Sequence, residues 1–212
     1  MDLTTDFWTY VMGASLAVQL LGEYVLHVRP LAASAKTLCA FSFLAIAHLQ
    51  DAQETEFGRR IFAALLLSFV GDVALIGRTP AWFALGLVSF LLGHIGFIFA
   101  FASRGIDPAC CLLTFVFVAP ISYLIGGWVV RIAKPDDMKP KVTAYIVVIT
   151  IMVAAAGGTR SSWLLVAAIM FFLSDLCVAV DRFVTRQFMV QAAGLPLYFG
   201  AQWMFAMHVA TG

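Results

Sequence analysis

The feature that most limits what this chain can become is a series of eight apolar runs separated by short polar connections. The runs are approximately Phe7–Leu26, Ala33–Leu49, Ile61–Gly77, Trp82–Ala102, Ala109–Ile132, Val142–Ala156, Trp163–Val180 and Val190–Ala210. Each approaches the ~17–25 residues that a helix needs to cross a bilayer, the third and sixth being short. Of 212 residues, 62% are hydrophobic and 12% charged, whereas soluble domains run near ~25% charged. Inside a bilayer the backbone must satisfy its own hydrogen bonds, and a helix does so within one segment. The expected fold is all-α: a polytopic transmembrane helical bundle of about eight spanning helices. The connections are too short to hold a soluble domain, so residues 1–212 are expected to form a single transmembrane domain.

Charge sets the expected orientation. Asp2 and Asp6 precede the first run and no Lys or Arg does, so the run lacks the basic start of a cleaved signal and is expected to stay as a helix. The connections after runs 1, 3, 5 and 7 hold Arg29, Lys36, Arg78, Arg131, Lys134, Lys139, Lys141, Arg182 and Arg186, and the opposite side holds Arg59, Arg60, Arg104 and Arg160. Basic residues favour the cytoplasmic side, which places both termini away from it. A bacterial source would put such a protein in the cell's inner membrane and a eukaryotic source in an endomembrane. The net charge of +1 and the lack of a basic patch give no reason to expect a nucleic-acid partner. Cys39, Cys110, Cys111 and Cys177 lie in or beside apolar runs without metal-ligand spacing and read as small buried hydrophobes.

Against this background the polar residues inside the runs stand out. Asp72 interrupts Ser68-Phe-Val-Gly-Asp-Val-Ala-Leu75 about 9 Å below Arg78, where a carboxylate costs on the order of 3 kcal/mol. Asp175, seven residues before Arg182, lies at about 10 Å. Glu23, His27, Lys36 and Tyr145 fall in the same cytoplasmic half, with His94, Tyr198 and Gln202 nearer mid-bilayer. Polar groups from six or seven runs at one level point to a polar cavity open toward the cytoplasm. A structural role is the alternative for each. Asp72 and Asp175 could pair with Lys36 or with hydroxyls such as Ser68 and Ser174, and Lys36 could snorkel to the interface. His94, Tyr145, Tyr198 and Gln202 could simply join helices. Only His27 and His94 could approach one another, so no metal site is expected. No nucleophile elbow, P-loop or dinucleotide fingerprint is present.

Two further patterns concern packing. Gly86, Ser89, Gly93 and Gly96 form a small-residue face suited to close helix contact, and Pro120 is expected to kink the fifth run. Phe69-Val-Gly-Asp72-Val-Ala echoes Phe172-Leu-Ser-Asp175-Leu-Cys, and Gly86-Leu before His94 echoes Gly194-Leu before Gln202 at the same spacing. The echo fits a parallel four-plus-four internal repeat.

Taken in order, Lys36-Thr37, Gly71-Asp72, Gly86-x6-Gly93-His94, Tyr145, Phe171-Phe-Leu-Ser174-Asp175-x4-Val180-Asp-Arg-Phe183 and Tyr198-x3-Gln202 resemble the YhhN-type lysoplasmalogenase family. The resemblance runs from about residue 30 to 205. It departs at Thr37, where the family commonly has proline, and at Phe97, where a tyrosine is frequent. It implies an integral membrane hydrolase without an obligatory cofactor. The substrate would be a 1-alkenyl-glycerophosphoethanolamine or -choline, cleaved at its vinyl ether to a fatty aldehyde and the glycerophospho-alcohol. That chemistry needs one carboxylic acid to protonate the alkenyl carbon and one carboxylate to stabilise the resulting cation or activate water. Asp72 and Asp175 are the expected pair. Ser174 beside Asp175 offers a donor that favours its ionised form, which points to Asp72 as the acid. Lys36 would meet the phosphate, while His94, Tyr145, Ser174, Tyr198 and Gln202 would line the substrate site. The faces of the third and fourth runs would admit the alkenyl chain from the bilayer. A proton-coupled transporter is the competing reading, since buried acids and a repeat are natural there too.

Overall fold

A computed structural model describes residues 3–77, 79–132, 138–183 and 188–211. The basic residues Arg78, Lys134 and Arg186 of the orientation argument lie outside these. Within them the chain forms eight α-helices: α1 (Leu3–Tyr24), α2 (Arg29–Leu49), α3 (Glu56–Ala74), α4 (Pro80–Arg104), α5 (Pro108–Ile132), α6 (Met138–Gly158), α7 (Ser162–Phe183) and α8 (Phe188–Met207). A short 3-10 turn at Val209–Thr211 follows. The helices coincide with the eight apolar runs, and no strand occurs among the described residues.

Several helices begin earlier than apolarity alone indicates, because a polar residue caps the first turn. The Thr55 hydroxyl accepts from the Gly58 amide at 2.8 Å and starts α3 five residues before Ile61. Asp107 accepts from the Cys110 amide at 2.8 Å ahead of α5. Pro120 does not end α5, which continues to Ile132.

Among the described residues five helices, α2 and α4 to α7, are long and apolar enough to cross a membrane. The others carry more polar residues: Gln19 and Glu23 in α1, Glu56, Arg59, Arg60 and Asp72 in α3, and Gln202 in α8. Large apolar side chains remain outward-facing, including Leu112, Phe117 and Leu124 of α5. This is the surface of an integral, multi-pass membrane protein.

The chain packs as two compact units, Met1–Ala100 with Gln202–Gly212, and Phe101–Ala201. In the first, α1 and α2 run antiparallel. A Cβ on Gly22 would lie 3.2 Å from the Ala32 amide nitrogen, the Cys39 thiol reaches the Met12 carbonyl, and the Gln50 amide donates to Thr5 Oγ1 at 3.0 Å. The buried stripe Met12, Ser15, Gln19 and Gly22 is the face of α1 that makes this contact. The predicted small-residue face of α4 packs on α3. Cβ atoms on Gly86, Gly93 and Gly96 would meet Leu75, Ser68 and Ala64, and one on Gly71 would meet the Phe90 ring. These faces are filled by one another, so the expected lateral entry of a lipid chain along α3 and α4 is not supported.

In the second unit, α5 and α6 meet closely at Gly157, where an added Cβ would collide with Thr114 Oγ1. The Thr114 hydroxyl is itself tied to the Cys110 carbonyl at 2.8 Å, so it cannot swing aside without losing that bond. Gly157→Ala is therefore expected to destabilise the protein by about 1–3 kcal/mol despite the better helix propensity of alanine. A lower melting temperature in detergent checks this, and an unchanged one would show the helices can part. Thr150 donates to Ser122 at 2.8 Å, and Val129 and Val142 join the same helices through an apolar cluster with Ile125, Ile146 and Phe183.

At one end of this unit Arg160 pairs with Asp107. Hydrogen bonding from Cys110, and to a smaller extent the Arg160 charge, lowers the Asp107 carboxyl below its ordinary value of 3.8. A lowered folded-state value means the contribution is complete above the unfolded value and is lost as pH falls through the folded one. Asp107→Asn should accordingly flatten the acid limb of a melting-temperature profile below about pH 4, leaving the neutral region nearly unchanged. A variant whose acid limb matches the parent would refute the role.

Candidate active site

The first unit gathers a polar group around Asp72. Its carboxylate sits one turn beyond Ser68 on α3, is 2% exposed, and lies 3.3 Å from the Lys36 ammonium of α2. Lys36 thus reaches inward to a carboxylate instead of snorkelling. The Ser68 hydroxyl bonds its own helix at the Ala64 carbonyl and is not the acid's donor. His94 on α4 is fully buried, and a Cβ on the preceding Gly93 would lie 3.3 Å from Ser68 Oγ. Gln202, also fully buried, belongs to this unit through α8. A surface groove of about 500 Å³, lined by Ala33, Ser34, Thr37, Leu38, Phe41 and Phe69, opens along α2 and α3 beside the Lys36 segment.

The second unit builds a different setting for Asp175. The Tyr145 hydroxyl of α6 donates to Asp175 Oδ2 at 2.9 Å. The Ser174 hydroxyl does not serve Asp175, since it donates to the Phe171 carbonyl at 2.7 Å. Its proximity in sequence was misleading: on a helix, adjacent side chains point about 100° apart. Tyr198 of α8 stacks edge-on against Phe171, one turn before Asp175, with ring centroids 5.4 Å apart. Asp175 is only partly buried.

Each unit therefore repeats one arrangement with different chemistry. The eighth residue of α2 is Lys36 and the eighth of α6 is Tyr145, and each contacts the acid of the following helix. Gly86 packs beside Gly71 and Leu75 around Asp72, and Gly194 beside Ser174 and Cys177 around Asp175. One acid faces a cation and the other a neutral hydroxyl. Among the described residues no three His, Cys, Asp or Glu side chains gather to hold a metal ion.

Sequence reasoning overlooked Gln19, a buried amide on the α1 stripe between Gly22 and Met12, which face Ala32 and Cys39. That puts it near the level of Lys36. A glutamine one turn before Glu23 in an apolar run was the available signal.

The sequence matches the YhhN family over residues 7–209. The chain belongs to the YhhN family. Similar curated proteins include human lysoplasmalogenase TMEM86B, 31% identical over 68% of this chain and 60% of that protein. The pig protein of the same name is 27% identical over 73% of this chain and 65% of its own. A lysoplasmalogenase of Mycobacterium tuberculosis is 32% identical over 66% of this chain and 55% of its own. The chain thus spans less than two thirds of the length of each. No solved structure matches this YhhN protein.

Proposed function

We propose that this YhhN protein is a lysoplasmalogenase, hydrolysing the vinyl ether of a 1-alkenyl-glycerophosphoethanolamine or -choline to a fatty aldehyde and the glycerophospho-alcohol. The observation that carries the reading is family membership over residues 7–209, with relatives named for that activity. The two differently partnered carboxylates supply the chemistry that the reaction requires. We also take the chain to act as one transmembrane domain with both termini on the non-cytoplasmic side.

The reaction begins with transfer of a proton to the alkenyl carbon beta to oxygen, leaving an oxocarbenium ion. Water adds to that cation, and the hemiacetal collapses to aldehyde and alcohol. Asp72 faces an ammonium, and a charge-assisted contact favours the anion more strongly than a neutral hydroxyl does. The roles therefore fall opposite to the sequence expectation. Asp175 is the acid in this reading, its carboxyl oriented by the Tyr145 hydroxyl on Oδ2. Asp72 supplies the negative charge that stabilises the cation. Lys36 has N–H donors beyond the one facing Asp72, which suit a phosphate. His94, Ser174, Tyr198 and Gln202 belong to the substrate site in this reading.

The deciding experiment presents purified protein with alkenyl and acyl lysophospholipids of matched chain length. Fatty aldehyde from the alkenyl lipid alone is the expected result. Fatty acid from the acyl lipid, or no product from either, overturns the proposal.

A further inference from the structure

Gln202 has a feature that the proton-transfer chemistry does not use. Its side chain is fully buried, and neither the amide nitrogen nor the amide oxygen has a hydrogen-bond partner among the described residues. A buried amide without partners is unfavourable, so such a group calls for a ligand. A primary amide both donates and accepts, which matches a hydroxyl-type molecule and not a cation or a bare anion. Its complete burial leaves no room for a ligand larger than water.

The surroundings fix the amide's place within the first unit. Trp203, the next residue, donates through its indole N–H to Thr9 Oγ1 at 3.1 Å, which ties this part of α8 to α1 and sets its rotation. The Phe97 and Phe205 rings stack at 4.4 Å. The C-terminal ends of α4 and of α8 both meet the start of α3, through Arg60 on the Phe99 carbonyl and Thr55 on the Val209 carbonyl, so α4 and α8 run parallel. His94 and Gln202 each precede the stacked pair by three residues and lie at one level. Gly93 faces Ser68, since a Cβ on it would lie 3.3 Å from Ser68 Oγ, and Ser68 stands one turn before Asp72. The Gln202 amide is therefore about one helical turn from the Asp72 level.

We infer that Gln202 holds the water that attacks the oxocarbenium ion, and so decides which oxygen captures it. This rests on the lysoplasmalogenase reading. Two oxygens compete for the cation carbon. If water attacks, its oxygen bonds to that carbon and it releases a proton. The hemiacetal hydroxyl then gives up its proton as the bond to the sn-1 oxygen breaks, and that oxygen takes up a proton, giving aldehyde and alcohol. If the substrate's own sn-2 hydroxyl attacks, it closes a five-membered cyclic acetal and releases a proton. No water is consumed, and the product is an isomer of the substrate. An amide that keeps water beside the cation suppresses the second route.

The test is the product ratio. Gln202→Met keeps length and bulk without the amide, and Gln202→Asn keeps the amide but withdraws it. Alkenyl-lysophosphoethanolamine is supplied to wild type and both variants, and cyclic acetal and free aldehyde are measured by mass spectrometry. A ratio does not depend on how much protein is folded, so a merely unstable variant lowers both products together. The expected result is a ratio of cyclic acetal to aldehyde raised about tenfold or more in the methionine variant, with the asparagine variant between it and wild type. A ratio equal to wild type in whichever variant turns over overturns the inference while leaving the activity intact. Absence of turnover from both variants, at wild-type melting temperature, does so too, because it makes the amide essential for a step before capture. Failure of wild type to release aldehyde overturns the underlying reading instead.

Discussion

Asp175→Asn is expected to lower aldehyde release by about 10²–10⁴-fold, the range seen when a general acid is removed. Asparagine keeps the shape of the side chain and still accepts from the Tyr145 hydroxyl at 2.9 Å, so the fold should hold. What it removes is the proton that the alkenyl carbon must receive. Tyr145→Phe should cost far less, because it takes away one orienting hydrogen bond and leaves the acid. Initial rates with the alkenyl lipid, read beside melting curves for each variant, separate the two. Near-wild-type turnover in Asp175→Asn would falsify the assignment of the acid.

Lys36→Met should be the most destabilising single change in the first unit. It strips the cation from a carboxylate whose side chain is 3% exposed, while that of Lys36 itself is 15% exposed. Removing one partner of a buried pair costs about 3–5 kcal/mol, most of it from the charge left behind. Asp72→Asn in the same background removes that charge and should recover much of the lost stability. Catalysis should not return with it, since the double variant lacks the anion proposed to stabilise the cation. The cycle therefore separates a structural ion pair from a working one. Recovery of both stability and turnover would mean that the pair only holds α2 to α3.

Helix number was legible because eight apolar runs between short polar links leave a membrane chain few other options. The helix starts were not, since Thr55 and Asp107 act through single cap hydrogen bonds that apolarity does not register. Asp72 and Asp175 stood out because a carboxylate in a run such as Leu65–Leu75 is costly wherever it points. Their partners did not. Ser174 was the near neighbour of Asp175 in sequence, yet Tyr145, thirty residues away, makes the contact. Lys36 was seen as a headgroup ligand or a pair for Asp72, and tertiary packing decided that it contacts the carboxylate. Gln19 was passed over because one amide in a long apolar run looks unremarkable until its burial is known.

The ion pair also bears on how the chain enters a membrane. Taken alone, α3 presents Glu56, Arg59, Arg60 and, in its last turn, Asp72, each of which opposes insertion; the cost of an Asp, about 2.5–3.5 kcal/mol at a segment's centre, is smaller toward its end. The apolar α2, which precedes it by a short turn, brings a lysine to the same depth. The two helices are thus suited to leave the insertion machinery together as a hairpin, each masking the other's charge. During biosynthesis α2 would wait for α3, and a substitution at Lys36 would be felt first as misinserted protein, before any molecule had the chance to misfold or to fail at catalysis.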